Sequence, residues 1–411
     1  MDSFGMIELL DCGILICGDD IRGKMTYPAY SQMRDDVSRH VQSAQKHGTG
    51  IGWLLDIARG IYTLRTGKVI AKTAAGEWTL KNNLCADAEV MQKAVAIRKE
   101  PTKFSKEDRK IDNAVVQRFA DVIDAEFTRT VEHFAESELK CMDIGFNSLS
   151  LIRDKDGVSV WRVTAANGSY VMKCFDKPEY RREITNYQLL NSLGVPTLKA
   201  IAHTDCSIVI EDIESSDYRL GTQEDMNDPN IAEKIAVWYK TLHENGRDYV
   251  NTHDFIDEYD RLTLDNLKFI QERTGTSGSQ LWQLIEKHFE EIRSTVMNLP
   301  RTLVYTDFYY TNLAVARDGS NALMFDYNFL YKSYVYSDIR NVCWSLGEEA
   351  KAAFLSAYGE YDERGAVVDD VADSLAGLYN TCRRRNFPEW ANDNSDVKLL
   401  AAVEKLLEVI Q

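Results

Sequence analysis

The sequence predicts an α+β protein in which an all-α helical domain precedes a small β-sheet lobe and a larger helical lobe. Three observations lead to this prediction. Apolar residues recur at helical spacing through the first 140 residues, strand-like runs with turn signals fill residues 145–213, and helical periodicity returns from about residue 230. The chain has 411 residues, 44% of them hydrophobic, which is enough for two or three domains with their own cores.

Composition narrows the classes of function. The formal net charge of −16 argues against a nucleic-acid partner and is compatible with a cationic ligand. Residues 1–20 have no basic region, and Glu8 and Asp11 interrupt their apolar stretch, so we expect no signal peptide. No run approaches the ~20 apolar residues of a membrane span. We therefore expect a cytoplasmic protein without a membrane partner.

Cysteine and histidine usage fits the same expectation. The eight cysteines form no CxxC pair, which predicts reduced and mostly buried thiols. The seven histidines are dispersed along the chain, which argues against a zinc site.

The first 140 residues predict helices. "IGWLLDIARGIYTLRTG", residues 51–67, has apolar residues at helical spacing, and Gly67 is expected to end the helix. "TAAGEWTLKNNL" and "DAEVMQKAVAIRKE" continue the pattern. Residues 105–138 predict one long connecting helix with an apolar stripe from Val115 to Phe134. The predicted boundaries are 1–104 for the helical domain and 105–140 for the connecting helix.

The pattern changes to strands near residue 145. "SLSLIRD" and "VSVWRVTA" are separated by Asp156-Gly157, and "SYVMKCF" follows Asn167-Gly168, which is a hairpin signal. A helix within residues 177–193 and two further strand-like runs, "LKAIAHT" and "SIVIEDI", follow. These elements predict a sheet lobe over residues 141–213, and residues 214–411 form the helical lobe with a short β insert.

Several polar residues fit the needs of phosphoryl transfer, which requires positioning and charge neutralisation. Lys173 lies in the third predicted strand and Glu183 on the helix that follows, ten residues later. Singly, each has a simpler interpretation, as a lysine at a sheet edge or a solvated glutamate. Together they suit the ion pair that orients a nucleotide.

The stretch "LVYTDFYYTNLAV", residues 303–315, places Asp307 and Asn312 in one loop between two strands. Such a pair arises by chance about once in a chain of this length. Asp326 then ends an apolar strand, where its carboxylate suits Mg²⁺. We expect Asp338 to be structural and to cap a helix that begins at Ile339. The order of all these parts is far less probable by chance than any one of them.

With these parts in place, residues 141–411 resemble the aminoglycoside phosphotransferase and choline kinase branch of the protein-kinase-like fold. The "HGDxxxxN" loop of that family is matched by Tyr305-Thr306-Asp307 and Asn312, and its "IDW" or "IDF" by Phe325-Asp326-Tyr327. Its "DLA" is matched by Asp338-Ile339, and its "GVP" turn, eleven residues after the helix glutamate, by Gly194-Val195-Pro196.

The resemblance implies a bilobal kinase-like fold and a role for each site residue. Asp307 would be the catalytic base, and Asn312 and Asp326 the Mg²⁺ ligands. Lys173 and Glu183 would bind the phosphates of ATP or GTP. The backbone of a hinge over residues 210–213, including Glu211 and Ile213, would meet the purine. The sequence departs from the family at Tyr305 and Thr306, which replace a histidine and a glycine, and in the phosphate-covering loop "DIGFNSLS", where Gly145 is the only glycine.

The first hundred residues carry a second resemblance, to the C-terminal helical domain of streptomycin/spectinomycin-type aminoglycoside nucleotidyltransferases. The shared landmarks are Arg59, Tyr62-Thr63-Leu64, Thr66-Gly67, Lys72 and Ala74-Ala75 through Trp78. No Gly-Ser occurs before residue 168, so we expect the catalytic half of that family, with its Gly-Ser and paired aspartates, to be missing. We therefore expect a structural or acceptor-shaping module docked on the sheet lobe, and no nucleotidyl transfer.

The sequence thus predicts an ATP- and Mg²⁺-dependent O-phosphotransferase. Its acceptor would be a small-molecule hydroxyl, on an aminoglycoside-like or other cationic amino-alcohol. We expect the acceptor to bind between the catalytic loop and an acidic cluster after residue 345: Glu348, Glu349, Glu360, Asp362 and Glu363. The alternatives are a choline- or sugar-kinase-like metabolic enzyme, a protein kinase and a non-catalytic pseudokinase. An antibiotic-resistance enzyme and a metabolic kinase would share every motif.

Overall fold

The computed structural model of this chain describes residues 2–384 and 395–410. These residues divide into two compact units. The first contains the residues up to Arg181 together with Ile201–Ile210, and the second contains Arg182–Ala200 and the residues from Glu211 onward. The class is α+β, with helices first, then a small antiparallel sheet, then mainly helices, as the sequence predicts.

The first unit begins with seven helices. The predicted end at Gly67 is confirmed, because that glycine has a φ of 64° and follows the third helix directly. In chain order the helices are α1 Ser3–Cys12, α2 Tyr30–His47, α3 Gly52–Thr66, α4 Lys72–Lys81, α5 Ala88–Lys99, α6 Asn113–Arg129 and α7 Val131–Cys141.

The single connecting helix predicted over residues 105–138 is wrong. The structure has two helices, α6 and α7, which meet at Thr130. The side chain of Asp112 accepts a hydrogen bond from Ala114 N and so starts α6 later than expected. The hydroxyl of Thr130 bonds Glu126 O at 2.7 Å and accepts from Arg34 at 2.8 Å. These contacts are made where the helix is interrupted. The contact between Arg34 and Thr130 joins residues that are far apart in the sequence.

A five-stranded antiparallel sheet completes the first unit, with the order β1-β2-β3-β5-β4. The predicted turn at Asp156-Gly157 is confirmed, since both residues have positive φ angles, 57° and 88°. The strands are β1 Ser148–Lys155, β2 Val158–Ala165, β3 Gly168–Phe175, β4 Ala200–His203 and β5 Ser207–Glu211.

The apolar stripe of residues 115–134 is shared between two cores. Its part on α6, including Phe119 and Ile123, is buried among α2, α3 and α5. Its part on α7, including Val131 and Phe134, packs with Trp161 of β2 and other residues of the sheet. The helical segment and the sheet therefore have a common hydrophobic core.

Charged residues of α2 reinforce this contact. Arg34, whose side chain is only 2% exposed, donates to both carboxylate oxygens of Asp176, just after β3, at 3.0 and 2.8 Å. Arg181 forms a second pair with Asp35, at 2.7 and 2.5 Å. The rings of Phe127 and Phe134 lie 5.0 and 4.9 Å from the Arg34 guanidinium. A buried arginine with bidentate pairing fixes the orientation of α2 on the sheet.

The second unit is mostly helical and carries three short strand pairings. Two small sheets have the orders β10-β7 and β6-β8-β9. The elements are α8 Arg182–Ser192, β6 Tyr218–Leu220, α9 Pro229–Thr252, α10 Leu264–Thr274, α11 Gln280–Lys287, α12 Phe289–Asn298, β7 Arg301–Tyr305, β8 Leu313–Ala316, β9 Ala322–Met324, β10 Leu330–Tyr334, α13 Val335–Ser345, α14 Glu348–Tyr358, α15 Arg364–Cys382 and α16 Ser395–Ile410.

Two further sequence expectations concern the whole chain. None of the helices in residues 2–384 and 395–410 has the length and apolar character needed to span a bilayer. All eight cysteines are free thiols, but only Cys174, Cys206 and Cys382 are buried, so the expectation of mostly buried thiols is wrong.

Removing the buried arginine tests how the helices are attached to the sheet. Arg34→Ala leaves Asp176 without its bidentate partner and should lower the free energy of unfolding by about 3 kcal/mol. Arg39→Ala is the matched control, because the Arg39 side chain on the same helix is 70% exposed. It should change stability by less than about 1 kcal/mol. Urea unfolding followed by circular dichroism measures both variants, and equal midpoints would contradict this role of Arg34.

Candidate active site

The hairpin of β8 and β9 brings together the two residues predicted to ligate metal. Leu313 pairs with Met324 in this hairpin. One residue further out, Phe325 N donates to Asn312 O at 3.0 Å. Asp326 is the next residue, so it lies beside Asn312 because of the hairpin register.

A side-chain hydrogen bond joins Asn312 to the predicted base. Asn312 Nδ2 donates to Asp307 Oδ2 at 2.8 Å and to Asp307 O at 3.0 Å. The amide nitrogen is thereby committed to Asp307, which leaves the Asn312 side-chain oxygen to face a cation. The three residues Asp307, Asn312 and Asp326 form one constellation within the second unit.

Asp326 has an unusual backbone conformation. Its φ of 67° and ψ of 68° lie in the left-handed region, which residues other than glycine rarely adopt. Such strain persists where surrounding structure imposes it, and it is concentrated at functional sites. This conformation turns the chain between β9 and the short 3₁₀ turn Tyr327–Phe329 that follows.

The donors near Asp326 suit magnesium. A carboxylate and an amide oxygen are hard ligands, and Mg²⁺ on a nucleotide needs only one or two carboxylates besides phosphates and water. In addition, Asn328 Oδ1 is buried and has no hydrogen-bond partner among residues 2–384 and 395–410. A hydrated cation beside Asp326 would bring donors into this region, so the residues present fit Mg²⁺.

Glu183 is completely buried on α8, which excludes the interpretation of a solvated helix glutamate. Its Oε2 accepts a hydrogen bond from Asn328 Nδ2 at 2.8 Å, and the same nitrogen lies 3.4 Å from Asp326 Oδ1. Asn328 therefore connects Glu183 with Asp326. Asn328 is not among the site residues predicted from the sequence, although it is a polar residue only two positions after the predicted metal ligand.

The remaining predicted nucleotide-binding residues lie as follows. Lys173 is on β3 in the first unit and is 6% exposed, so it is not a solvated edge lysine. Glu211 ends β5, and its carboxylate accepts from Lys199 N at 2.6 Å. Ile213 is buried. The boundary between the two units falls between Ile210 and Glu211, inside the predicted hinge.

Two residues of the acidic cluster expected beside the catalytic loop, Glu360 and Asp362, lie near the start of β7. Glu360 and Asp362 line a cavity of about 280 Å³ together with Leu299 and Pro300. Those two residues precede β7, whereas Asp307 follows it, so the cavity and the catalytic loop are at opposite ends of the strand. Glu360 and Asp362 are therefore at the end of β7 away from Asp307.

Comparison with known proteins identifies the family. Residues 150–377, more than half of the chain, match the model of the phosphotransferase enzyme family. The chain belongs to this family. Residues 30–126 match a second model, the C-terminal domain of aminoglycoside adenylyltransferases. Both resemblances inferred from the sequence are confirmed, and the protein is a phosphotransferase.

Solved structures of similar proteins include several kinases of small molecules. Choline kinase LicA from Streptococcus pneumoniae is 15% identical, with 68% of this chain and 99% of that chain covered and a TM-score of 0.45. Macrolide 2'-phosphotransferase MphH from Brachybacterium faecium is 14% identical, with 63% and 93% covered and a TM-score of 0.42. A spectinomycin phosphotransferase in complex with ADP and spectinomycin is 12% identical, with 66% and 95% covered and a TM-score of 0.42. None of the curated proteins matches this chain.

In this phosphotransferase, Tyr305 is the residue that the sequence comparison predicts in place of a loop histidine. Its side chain is completely buried, and its hydroxyl donates to Phe325 O at 2.8 Å. Burial, and then the nearby charge of Asp307, raises the pKa of Tyr305, so the phenol stays protonated as a donor. Tyr305 thus links the strand before Asp307 to the strand before Asp326.

Asp338 supports the same loop, but not as a helix cap. Helix α13 begins at Val335, four residues earlier than expected, and Asp338 lies in its first turn. The fully buried Asp338 Oδ2 accepts from Tyr305 N at 2.8 Å and lies 3.0 Å from His243 Nε2. The expected structural role is correct, and the expected capping role is wrong, because the carboxylate bonds the strand before the catalytic loop.

Removing one hydroxyl tests this support. Tyr305→Phe deletes the bond to Phe325 O and should lower the free energy of unfolding by about 1–2 kcal/mol. Tyr309→Phe, in the same loop but 49% exposed, is the control and should stay within about 0.5 kcal/mol of the parent. Chemical denaturation of the three proteins provides the comparison. A Tyr305 variant as stable as the parent would exclude the hydroxyl as a structural link.

Proposed function

We propose that this phosphotransferase moves the γ-phosphoryl group of ATP, with Mg²⁺ bound, to a hydroxyl of a small cationic amino-alcohol. The main observation in support is the constellation of Asp307, Asn312 and Asp326, in which a loop and a hairpin bring a base and two hard oxygen donors together. Family membership supports the transfer of a phosphoryl group. The nucleotide, the metal and the acceptor are the parts that we propose.

In the proposed reaction, Asp307 accepts or orients the proton of the acceptor hydroxyl. The hydroxyl oxygen forms a bond to the γ-phosphorus while the bond between that phosphorus and the β–γ bridging oxygen breaks, and ADP leaves. The hydrogen bond from Asn312 holds the Asp307 carboxylate in place during proton transfer. Mg²⁺, held by Asn312 and Asp326, would neutralise charge on the phosphates. Lys173 would neutralise charge on the α- and β-phosphates, and Glu183 would be the anion of the pair that orients the nucleotide.

Two observations support a cationic acceptor. The net charge of −16 attracts cations over long range. Tyr309 and Tyr310 follow Asp307 in the catalytic loop with ring centroids 4.5 Å apart, and Tyr309 is 49% exposed. Exposed aromatic faces attract ammonium groups by cation–π interaction. We therefore propose this loop, and not the acidic cluster after residue 345, as part of the acceptor site.

The helical domain is proposed as a structural or acceptor-shaping module and not as a second enzyme. It shares a hydrophobic core with the small sheet, which supports a role in positioning that sheet. It matches the C-terminal domain of the adenylyltransferases, and no Gly-Ser, a mark of their catalytic half, occurs before residue 168. We expect ADP, and neither AMP nor pyrophosphate, as the nucleotide product.

A screen of ATP consumption against aminoglycosides, other amino-alcohols and sugars tests the acceptor class. Turnover with an amino-alcohol and not with sugars would support the proposal. A sugar acceptor would favour the alternative of a metabolic sugar kinase, and labelling of protein alone would favour a protein kinase. Nucleotide binding without transfer to any class would indicate a pseudokinase.

The predicted base can be tested with an isosteric change. Asp307→Asn should lower kcat by roughly 10²-fold or more, because the amide does not take up the hydroxyl proton. Nucleotide affinity should change little, since a base acts in the transition state. Steady-state kinetics and calorimetry with ADP measure the two quantities. An unchanged kcat would remove Asp307 from this role.

The predicted metal ligand has a separate test. Asp326→Ala should abolish most of the Mg²⁺ dependence of nucleotide binding, because it removes a direct ligand. Asp318→Ala is the control, since Asp318 lies in the turn of the same hairpin and its side chain accepts a hydrogen bond from Ser320 N at 2.9 Å. Titration calorimetry with and without Mg²⁺ compares them. If the Asp326 variant keeps the full metal effect, the metal site has been misplaced.

A further inference from the structure

Asn328 occupies an electrostatically unusual position. It is 7% exposed, and its single amide nitrogen lies within hydrogen-bond distance of two carboxylates, Glu183 at 2.8 Å and Asp326 at 3.4 Å. The amide group has two hydrogens on that nitrogen, one for each carboxylate. The opposite orientation of the amide would place its oxygen against two anions, so the charges fix the orientation.

The other end of the same side chain is unsatisfied. Asn328 Oδ1 is buried and accepts no hydrogen bond from any residue that the structure describes. Buried acceptors are normally paired, because leaving one unpaired costs free energy. The Asn328 side chain therefore makes two contacts through its nitrogen and leaves its oxygen without a donor. This oxygen lies two residues from the proposed metal ligand.

The neighbouring backbone holds Asn328 in place. Asp326 turns the chain with its left-handed conformation, and Asn328 follows in the 3₁₀ turn. Asn186 of α8, 4% exposed, donates to Tyr327 O at 2.7 Å and attaches this turn to the helix that carries Glu183. The position of the Asn328 amide between the two carboxylates is thus set from both sides.

We propose that Asn328 is a positioning residue for phosphoryl transfer, a neutral bridge that holds Glu183 and Asp326 at a fixed separation and gains its missing donor when hydrated Mg²⁺ binds. The inference rests on the proposed function. It adds a link between the helix glutamate and the metal ligand, so that the two are oriented together. A neutral amide suits this place, since a third carboxylate would repel both neighbours.

Asn328→Ala is the first test. It removes the bridge and should raise the Mg²⁺ concentration that half-saturates nucleotide binding by about tenfold, the effect expected for a residue that orients a metal ligand. It should lower kcat by a similar factor with little change in the KM of the acceptor. Asn186→Ala is the matched control, a buried asparagine of α8 whose amide donates to Tyr327 O at the same turn. It should lower the melting temperature and raise the half-saturating Mg²⁺ concentration much less than Asn328→Ala does, because the Asn328 amide itself is kept.

Asn328→Asp is the second test and is isosteric, so it applies even if the alanine variant does not fold. It places a third negative charge beside Glu183 and Asp326. Without metal its melting temperature should fall below that of the parent, and Mg²⁺ alone should raise it by several degrees more than it raises that of the parent. This measurement needs neither nucleotide nor turnover.

The outcomes separate the two proposals. If the parent binds nucleotide in a Mg²⁺-dependent manner and both Asn328 variants respond to Mg²⁺ as the parent does, the role of Asn328 is overturned and the proposed function stands. If the parent shows no Mg²⁺-dependent nucleotide binding, the proposed function fails and the inference fails with it. An Asn186 variant that loses Mg²⁺ dependence as strongly as the Asn328 variants would also overturn it, because any disturbance of the turn would then have the same effect.

Discussion

The buried carboxylate of Asp338 is the constraint on which the catalytic loop depends. It accepts the backbone N–H of Tyr305 and pairs with His243, whose other ring nitrogen lies 2.8 Å from the Tyr358 hydroxyl. Burial raises the pKa of Asp338, while the hydrogen bond and charge of His243 oppose that shift. A buried carboxylate is tolerated only with such partners. Asp307 lies two residues after Tyr305, the residue whose backbone N–H bonds Asp338.

Tyr305 also connects the Asp338 carboxylate with the residues proposed to bind metal. Its phenol bonds the carbonyl of Phe325, and Phe325 N bonds the carbonyl of Asn312. Asn328 then connects Asp326 to Glu183 of α8. A continuous set of hydrogen bonds thus joins the residues assigned to proton transfer, to metal binding and to orientation of the nucleotide. The strand before Asp307 is thus held by the side chain of Tyr305.

Local patterns allowed much of the fold and site to be predicted. Helical spacing and Gly67 located α3, Asp156-Gly157 located a hairpin, and the short distance in sequence between Asn312 and Asp326 made their hairpin foreseeable. Contacts between distant residues could not be foreseen. The break at Thr130 involves Arg34, 96 residues away, and Asn328 meets Glu183 across 145 residues. Asp338 was placed at a helix start, but its partners Tyr305 and His243 come from other elements.

The products that the protein forms from ATP show whether it transfers a phosphoryl or an adenylyl group. Phosphorus NMR of the protein incubated with ATP, Mg²⁺ and a pool of amino-alcohols distinguishes ADP, AMP, pyrophosphate and phosphate monoesters in one experiment. We predict ADP and a new monoester in equal amounts, both dependent on Mg²⁺ and on Asp307. Formation of pyrophosphate and an adenylylated acceptor would contradict the proposed phosphoryl transfer, and so would a monoester formed at the same rate by Asp307→Asn.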